Sequence, residues 1–150
     1  MLLHDDGRHI DTGTRVIMFY RDEEIRFECS GCGRCCFGHP DEHYIELASG
    51  EARRIRQFLG LDKKQFRQEY LVTLPGIGKG LRINAQGRCV LLDENSRCSI
   101  YQVRPRQCMT YPFWPELMHS SAAWHDEASR CEGINQGNIV SLETIEKQLK

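Results

Sequence analysis

The sequence predicts a small α+β protein, a single domain over residues 1–150, with short β-hairpins and several helices organised around a cysteine-rich metal site. Three observations predict it. Cys29, Cys32, Cys35 and Cys36 fall within eight positions, with Gly31 and Gly33 between them. Four further cysteines, Cys89, Cys98, Cys108 and Cys131, follow at intervals of 9, 10 and 23 positions. Between them, short β-prone runs and stretches with helical spacing of apolar residues are separated by turn residues.

Composition narrows the function classes first. A net charge of −1 and a pI near 6.6 lack the basic face of a general nucleic-acid binder. Arginine outnumbers lysine 15 to 5, and arginine is the cation suited to fixed anions in partly buried sites. The opening Met1-Leu-Leu-His-Asp-Asp-Gly7 has neither the basic nor the apolar region of a secretory leader, and no stretch approaches the ~20 apolar residues of a membrane span. A cytoplasmic address is therefore expected, where thiols stay reduced. Eight cysteines there point to metal rather than to a disulfide framework.

In chain order, residues 1–13 read as a loose arm. Arg15–Tyr20 and Ile25–Phe27 read as two strands joined across Arg21–Glu24, the second delivering Cys29 to its site. Phe37–Pro40 reads as a loop, with a short apolar piece at Tyr44–Leu47. Ser49 begins a helix carrying Ala52, Ile55, Phe58 and Leu59, which Gly60 ends. Asp62 caps a second helix with Phe66, Tyr70 and Leu71 on one side, which Pro75–Gly80 stops. Arg53, Arg54 and Arg56 lie on its predecessor's solvated face. Leu81–Asn84 and Arg88–Leu92 read as strands, and Asp93–Ser96 as a turn into Cys98–Tyr101, a hairpin that would bring Cys89 and Cys98 together. Pro105 opens a short helix bearing Cys108, with Pro112 and Pro115 ending it. Ala122–Trp124 is expected as a strand, and Ser141 as the cap of a final helix over 141–149. Gly76-Ile-Gly78-Lys-Gly80 lacks the frame of a phosphate loop and the hydroxyl residue after its lysine.

The thiols carry the chemistry. Two residues between successive cysteines let the backbone curl so that neighbouring sulfurs reach neighbouring coordination positions, and glycine permits the positive φ of such a curl. Adjacent Cys35 and Cys36 point apart in most conformations and are suited to two sites. Cys-x2-Cys-x2-Cys is the spacing by which ferredoxin-like loops hold a [4Fe–4S] cluster, while zinc equally accepts four thiolates, so iron–sulfur cluster and zinc both stand. The wide spacing of the later cysteines is not that of a zinc ribbon and fits ligands gathered by the fold. Arg34, Arg88, Arg97 and Arg130 each precede a cysteine directly, where a guanidinium would offset thiolate charge. His39 could bind or carry a proton, whereas His119 and His125 read as surface residues. No residue is singled out for catalysis.

Phe27-x-Cys29-x2-Cys32-Gly33-x-Cys35-Cys36, then Cys89-x8-Cys98-x-Ile100-Tyr101-x2-Arg104-Pro105-x2-Cys108-x2-Tyr111-Pro112-Phe113, and finally Cys131-x-Gly133-Ile134 resemble the CxxCxxCC family over about residues 25–134. That family is described as zinc- or iron-chelating and often labelled an Fe–S-cluster oxidoreductase. The resemblance implies that all eight cysteines, Cys29, Cys32, Cys35, Cys36, Cys89, Cys98, Cys108 and Cys131, are the metal site. It gives Tyr101, Arg104 and Tyr111-Pro112-Phe113 a supporting role, with Arg104 against the thiolates or bracing the hairpin, and Tyr101 and Phe113 as a wall against water. Met109 departs from the arginine expected after the third of the later cysteines. Three functions are implied: electron transfer or redox and metal sensing; a metal-dependent protein-modifying enzyme, since flagellin lysine N-methylase has a similar cysteine block; or a structural zinc module. The partners expected are a redox partner or a docking protein, with no nucleic acid and no membrane.

Overall fold

The computed structural model describes residues 9–10, 16–38 and 45–150. In chain order its strands are β1 (His9–Ile10), β2 (Val16–Ile17), β3 (Arg26–Phe27), β4 (Ile45–Glu46), β5 (Leu71–Leu74), β6 (Gly78–Leu81) and β7 (Ile134–Ile139). Its helices are α1 (Glu51–Leu59), α2 (Lys63–Glu69), α3 (Arg106–Thr110), α4 (Pro115–Met118), α5 (Ser121–Glu127) and α6 (Leu142–Gln148), with 3-10 turns at Phe19–Arg21, Arg34–Cys36 and Tyr101–Val103. The class is α+β with short antiparallel sheets, as expected. The chain forms two compact units: residues 31–109, and the flanking segments 1–30 and 110–150.

In the flanking unit, β3 pairs with β7 through Phe27↔Ile134 and Arg26↔Ile139, with a bulge between the two pairs. Positive φ at Asn135 and Gly137 bends β7 there, and Arg26 Nη1 donates to the Gly137 carbonyl at 3.0 Å. Around this ribbon Phe19, Tyr20, Ile25, Tyr111, Phe113, Met118, Trp124, Cys131, Ile134 and Ile145 form one core. Trp124 is its centre. It is fully buried, stacks on Phe113 at 5.7 Å between ring centroids and donates from Nε1 to Asn135 Oδ1 at 3.2 Å. Trp124→Ala is expected to cost about 3–5 kcal/mol in urea unfolding; a loss under about 1 kcal/mol would show that the surroundings collapse into the gap.

The expected strand at Ala122–Trp124 is corrected to α5. Ser120 accepts from the Ala123 N–H, and the two alanines favour helix over a strand too short to show alternation. The expected pairing of the two early strands is also replaced. Val16–Ile17 pairs with His9–Ile10, Phe19–Arg21 closes a 3-10 turn, and Arg26–Phe27 pairs with a segment over a hundred positions away. The rest of the 1–13 arm, like His39, lies outside the described residues. Ser141 caps α6 as expected, accepting from the Thr144 N–H.

In the unit of residues 31–109, the sheet order is β4-β6-β5, all antiparallel. α1 starts at Glu51, whose buried carboxylate accepts from Ala48 N at 2.9 Å and from Arg106 N at 2.8 Å, tying the helix start to the start of α3. Gly60, in the left-handed region, ends α1, and Asp62 Oδ1 caps α2 by accepting from the Lys64 and Gln65 N–H groups. α2 stops at Glu69, earlier than expected. Leu71–Leu74 is strand β5 and turns back through Pro75–Ile77 into β6. The β-branched Val72-Thr73 pair favours the sheet, and Leu71 opposite Leu81 fills the core with Ile45, Ile55, Phe66, Leu91 and Ile100.

Candidate metal centre

From residue 82 to residue 100 there is neither helix nor strand. Side-chain and turn hydrogen bonds shape this segment instead. Asn84 Oδ1 accepts from Gln86 N and Arg88 N at 3.0 Å each, and Asp93 Oδ1 accepts from Asn95 N and Arg97 N at 2.8 and 2.9 Å. The chain folds back through the single bridges Ile83↔Cys89 and Leu92↔Cys98 rather than the continuous hairpin expected.

Two matching turns carry the cysteines of this segment. The Leu92 N–H closes on the Cys89 carbonyl at 3.1 Å, and the Tyr101 N–H on the Cys98 carbonyl at 3.3 Å. In each, the N–H two residues on, from Leu91 or Ile100, is hydrogen-bonded to the cysteine sulfur and favours its thiolate. The cysteine-rich loop is laid against them. Gly38 N donates to the Gly87 carbonyl at 2.8 Å, Cys89 N donates to the Cys36 carbonyl at 2.9 Å, and Phe37 bridges Arg88. At Gly33, φ is 73°, and a Cβ there would run into the Ser96 carbonyl, so only glycine lets the loop approach the Asp93–Ser96 turn. Cys35 follows in the 3-10 turn Arg34–Cys36.

The result is a gathering of sulfur within one unit. Cys89 is buried, and Cys36, Cys98 and Cys108 pack against the same core. Burial pushes the Cys89 thiol up to about 11, and negative charge on Cys98 and Cys35 adds to the rise. Burial also raises Cys108, helped by Cys89, Cys35 and Cys98, and raises Cys98, helped by Cys35 and Asp93. Two cations oppose this. Arg88 lowers Cys89, and Arg104 lowers both Cys98 and Cys108. Arg104 lies 3.8 Å from the Tyr101 ring centroid and donates to the Tyr101 carbonyl at 2.9 Å. Tyr101 itself is exposed, and Phe113 belongs to the core around Trp124.

No disulfide joins the eight cysteines. Among the described residues, no three Cys, His, Asp or Glu side chains stand at the spacing of a metal shell. The donor set fits zinc or iron: desolvated thiols, N–H groups aimed at sulfur, and the Arg88 Nε beside Cys89, buried with no hydrogen-bond partner among the described residues. Sequence pattern pointed to Arg88 through the Arg–Cys pairs. Nothing in the sequence indicated the two matching turns.

Cys29 and Cys131 belong to the flanking unit. Cys29 is exposed just beyond β3, where Glu28 N donates to the Gly133 carbonyl at 3.0 Å. Cys131, two residues before Gly133, is buried beside Tyr111, whose hydroxyl donates to Glu127 Oε1 at 2.6 Å. Burial first, and then Glu127, raise the Tyr111 hydroxyl. Cys29 and Cys131 therefore reach the same end of the β3–β7 ribbon. Cys32 is half-buried between Gly31 and Gly33.

A consequence follows for the metal-free chain. The Cys89 thiol ionises at its usual 9.0 when unfolded and at about 11 when folded. A raised pKa gives stability that is complete below the unfolded value and lost as pH rises through the folded one. Between about pH 9 and 11 the reduced apo-protein is expected to lose about 3 kcal/mol from this group. Urea titrations across that range should be steeper in pH for the parent than for Cys89→Ala.

A small α+β protein with four thiols gathered on one core and guanidinium groups lowering their pKa values is, by its chemistry, a metal chelator. The model of the CxxCxxCC family, described as a putative zinc- or iron-chelating domain, matches residues 28–132, and the chain belongs to that family. All eight cysteines lie within the match. No solved structure matches the chain.

Proposed function

We propose that this chain is a cytoplasmic thiolate–metal protein, holding zinc or an iron–sulfur cluster for electron transfer or for sensing of redox state or metal supply. The gathering of Cys36, Cys89, Cys98 and Cys108 on one core carries this reading, because burial keeps Cys89, Cys98 and Cys108 as neutral thiols until a cation takes up their charge. Bound iron–sulfur would supply a one-electron couple; bound zinc would supply a shell that opens when its thiolates are oxidised. Arg88 and Arg104 balance charge beside the sulfurs, and the exposed Tyr101 ring with the half-buried Arg104 guanidinium over it offers a redox partner an aromatic, cationic surface.

Protein purified without oxygen should contain metal by elemental analysis. Iron with acid-labile sulfide and a visible band bleached by reductant supports electron transfer. Zinc alone in a colourless sample removes that branch and leaves sensing, which predicts release of the ion on peroxide treatment. A reduced, folded chain that takes up neither metal overturns the proposal.

A further inference from the structure

We propose that the exposed edge shared by α1 and residues 101–106 is a docking surface for an acidic segment of a partner protein. This extends the Tyr101–Arg104 surface named above onto α1 and gives the chemistry of what it takes. No thiol takes part, so the surface and the metal-binding reading can fail independently.

Charge is divided unevenly along the chain. Residues 31–109 hold 13 Lys and Arg against 8 Asp and Glu, whereas the flanking segments 1–30 and 110–150 hold 7 against 13. Within the inserted unit the excess is concentrated. Residues 51–60 and 101–109 carry Arg53, Arg54, Arg56, Arg104 and Arg106 with a single carboxylate, Glu51. That carboxylate is buried and already engaged, accepting from Ala48 N and Arg106 N and standing 3.6 Å from Arg54 Nη2. The region is therefore net positive in a chain whose total charge is −1.

Backbone contacts hold these cations in place. Arg54 Nη2 donates to the Arg104 carbonyl at 3.3 Å, which ties α1 to the 101–106 segment. Arg104 Nη1 donates to the Tyr101 carbonyl at 2.9 Å while its guanidinium lies 3.8 Å from the centroid of the Tyr101 ring. Among the described residues, the contacts of the Arg54 guanidinium run through Nη2, so Nη1 and Nε remain to donate to a partner. Side chains restrained in this way lose less freedom when a partner binds.

The cations are accompanied by exposed apolar area. Tyr101 and Phe58 are 51% and 47% exposed. Phe58 follows Arg54 by one helical turn and shares its face of α1, while Ile55 supplies the buried contact of that helix. Arginine and aromatic side chains are what protein interfaces favour at their centres, where the rings keep water from the ion pairs. Guanidinium groups fit carboxylates. Together these features select a protein segment that is acidic and partly apolar. Nucleic acid fits less well, because the chain as a whole is not basic and Arg104 already covers a face of the Tyr101 ring on which a base would stack.

The test is fluorescence anisotropy on the full-length chain purified without oxygen, with a labelled peptide in which glutamates flank leucines as the probe. Oligothymidylate and phosphatidylserine vesicles are the competing probes. Peptide binding should weaken about tenfold in Arg54→Gln/Phe58→Ser. It should change by less than about twofold in Lys64→Gln, which removes the same charge from an exposed position on α2. Equal weakening in the two variants overturns the proposal, as does a parent that binds no peptide or that binds oligothymidylate or vesicles more tightly. If Arg54→Gln/Phe58→Ser does not fold by circular dichroism, Arg106→Gln/Tyr101→Ser decides: weakening beyond that of Lys64→Gln supports the surface, and weakening no greater overturns it. Metal is measured in the same samples. A parent that holds metal but binds no peptide sinks the docking surface alone, and one that binds peptide but no metal sinks the metal-binding reading alone.

Discussion

Chelation of the bound metal is expected to cost residues 31–109 their ordered structure, read as a fall in the far-ultraviolet circular dichroism and a broadened thermal transition. The reason lies in what holds residues 82–100. That segment has no helix or strand, and it is tied to the rest of its unit by isolated bridges, turns and the packing of Leu91 and Ile100. A unit of about 80 residues draws only about 3–5 kcal/mol from a single core. Structural zinc contributes an apparent ~10–16 kcal/mol in small zinc-dependent folds, so ligation outweighs the core. Removing the ion also returns Cys89, and Cys108 packed against the same core, to neutral thiols, because burial disfavours their charged forms. A reduced, chelated chain whose spectrum matches that of the loaded protein would contradict this dependence on metal.

Gly33→Ala should be the most damaging single substitution in the cysteine-rich loop, and Gly31→Ala is its control. Both positions have positive φ, near 72°, which costs an alanine about 1–2 kcal/mol. At Gly31 that is the whole effect, since a Cβ there meets nothing within 4 Å. At Gly33 the Cβ meets the backbone carbonyl of Ser96, with Leu92 Cδ1 at 3.3 Å, and a backbone atom cannot swing aside as a side chain would. The loop must lift from the Asp93–Ser96 turn, carrying Cys35 with it. Gly33→Ala is expected to lower both metal content and denaturant midpoint beyond Gly31→Ala; equal effects in the two variants would show that the close approach to Ser96 has no bearing on the site.

Helix signals in the sequence were local and therefore legible. Gly60 at the end of α1, Asp62 at the start of α2 and Ser141 at the start of α6 each satisfy backbone groups within a few positions of themselves. The short helix bearing Cys108 was likewise legible from Pro105. Strand partners were not. Residues 134–139 read Ile-Asn-Gln-Gly-Asn-Ile, with only Ile134 buried, so nothing in their pattern announces a strand, and their partner Arg26–Phe27 lies far away in sequence. Ala122–Trp124 misled because three apolar residues fit either period. At the site, cysteine spacing disclosed the chemistry, and the Arg–Cys pairs pointed to Arg88. How the cysteine-rich loop meets residues 82–100 depends on which backbone approaches which, at Gly33, Gly87 and Cys36, and such tertiary contacts leave no periodic trace.

The unit of residues 31–109 interrupts the other in the covalent sequence. The core around Trp124 therefore cannot close until Thr110–Lys150 has been synthesised, whereas every residue of the inserted unit precedes that segment.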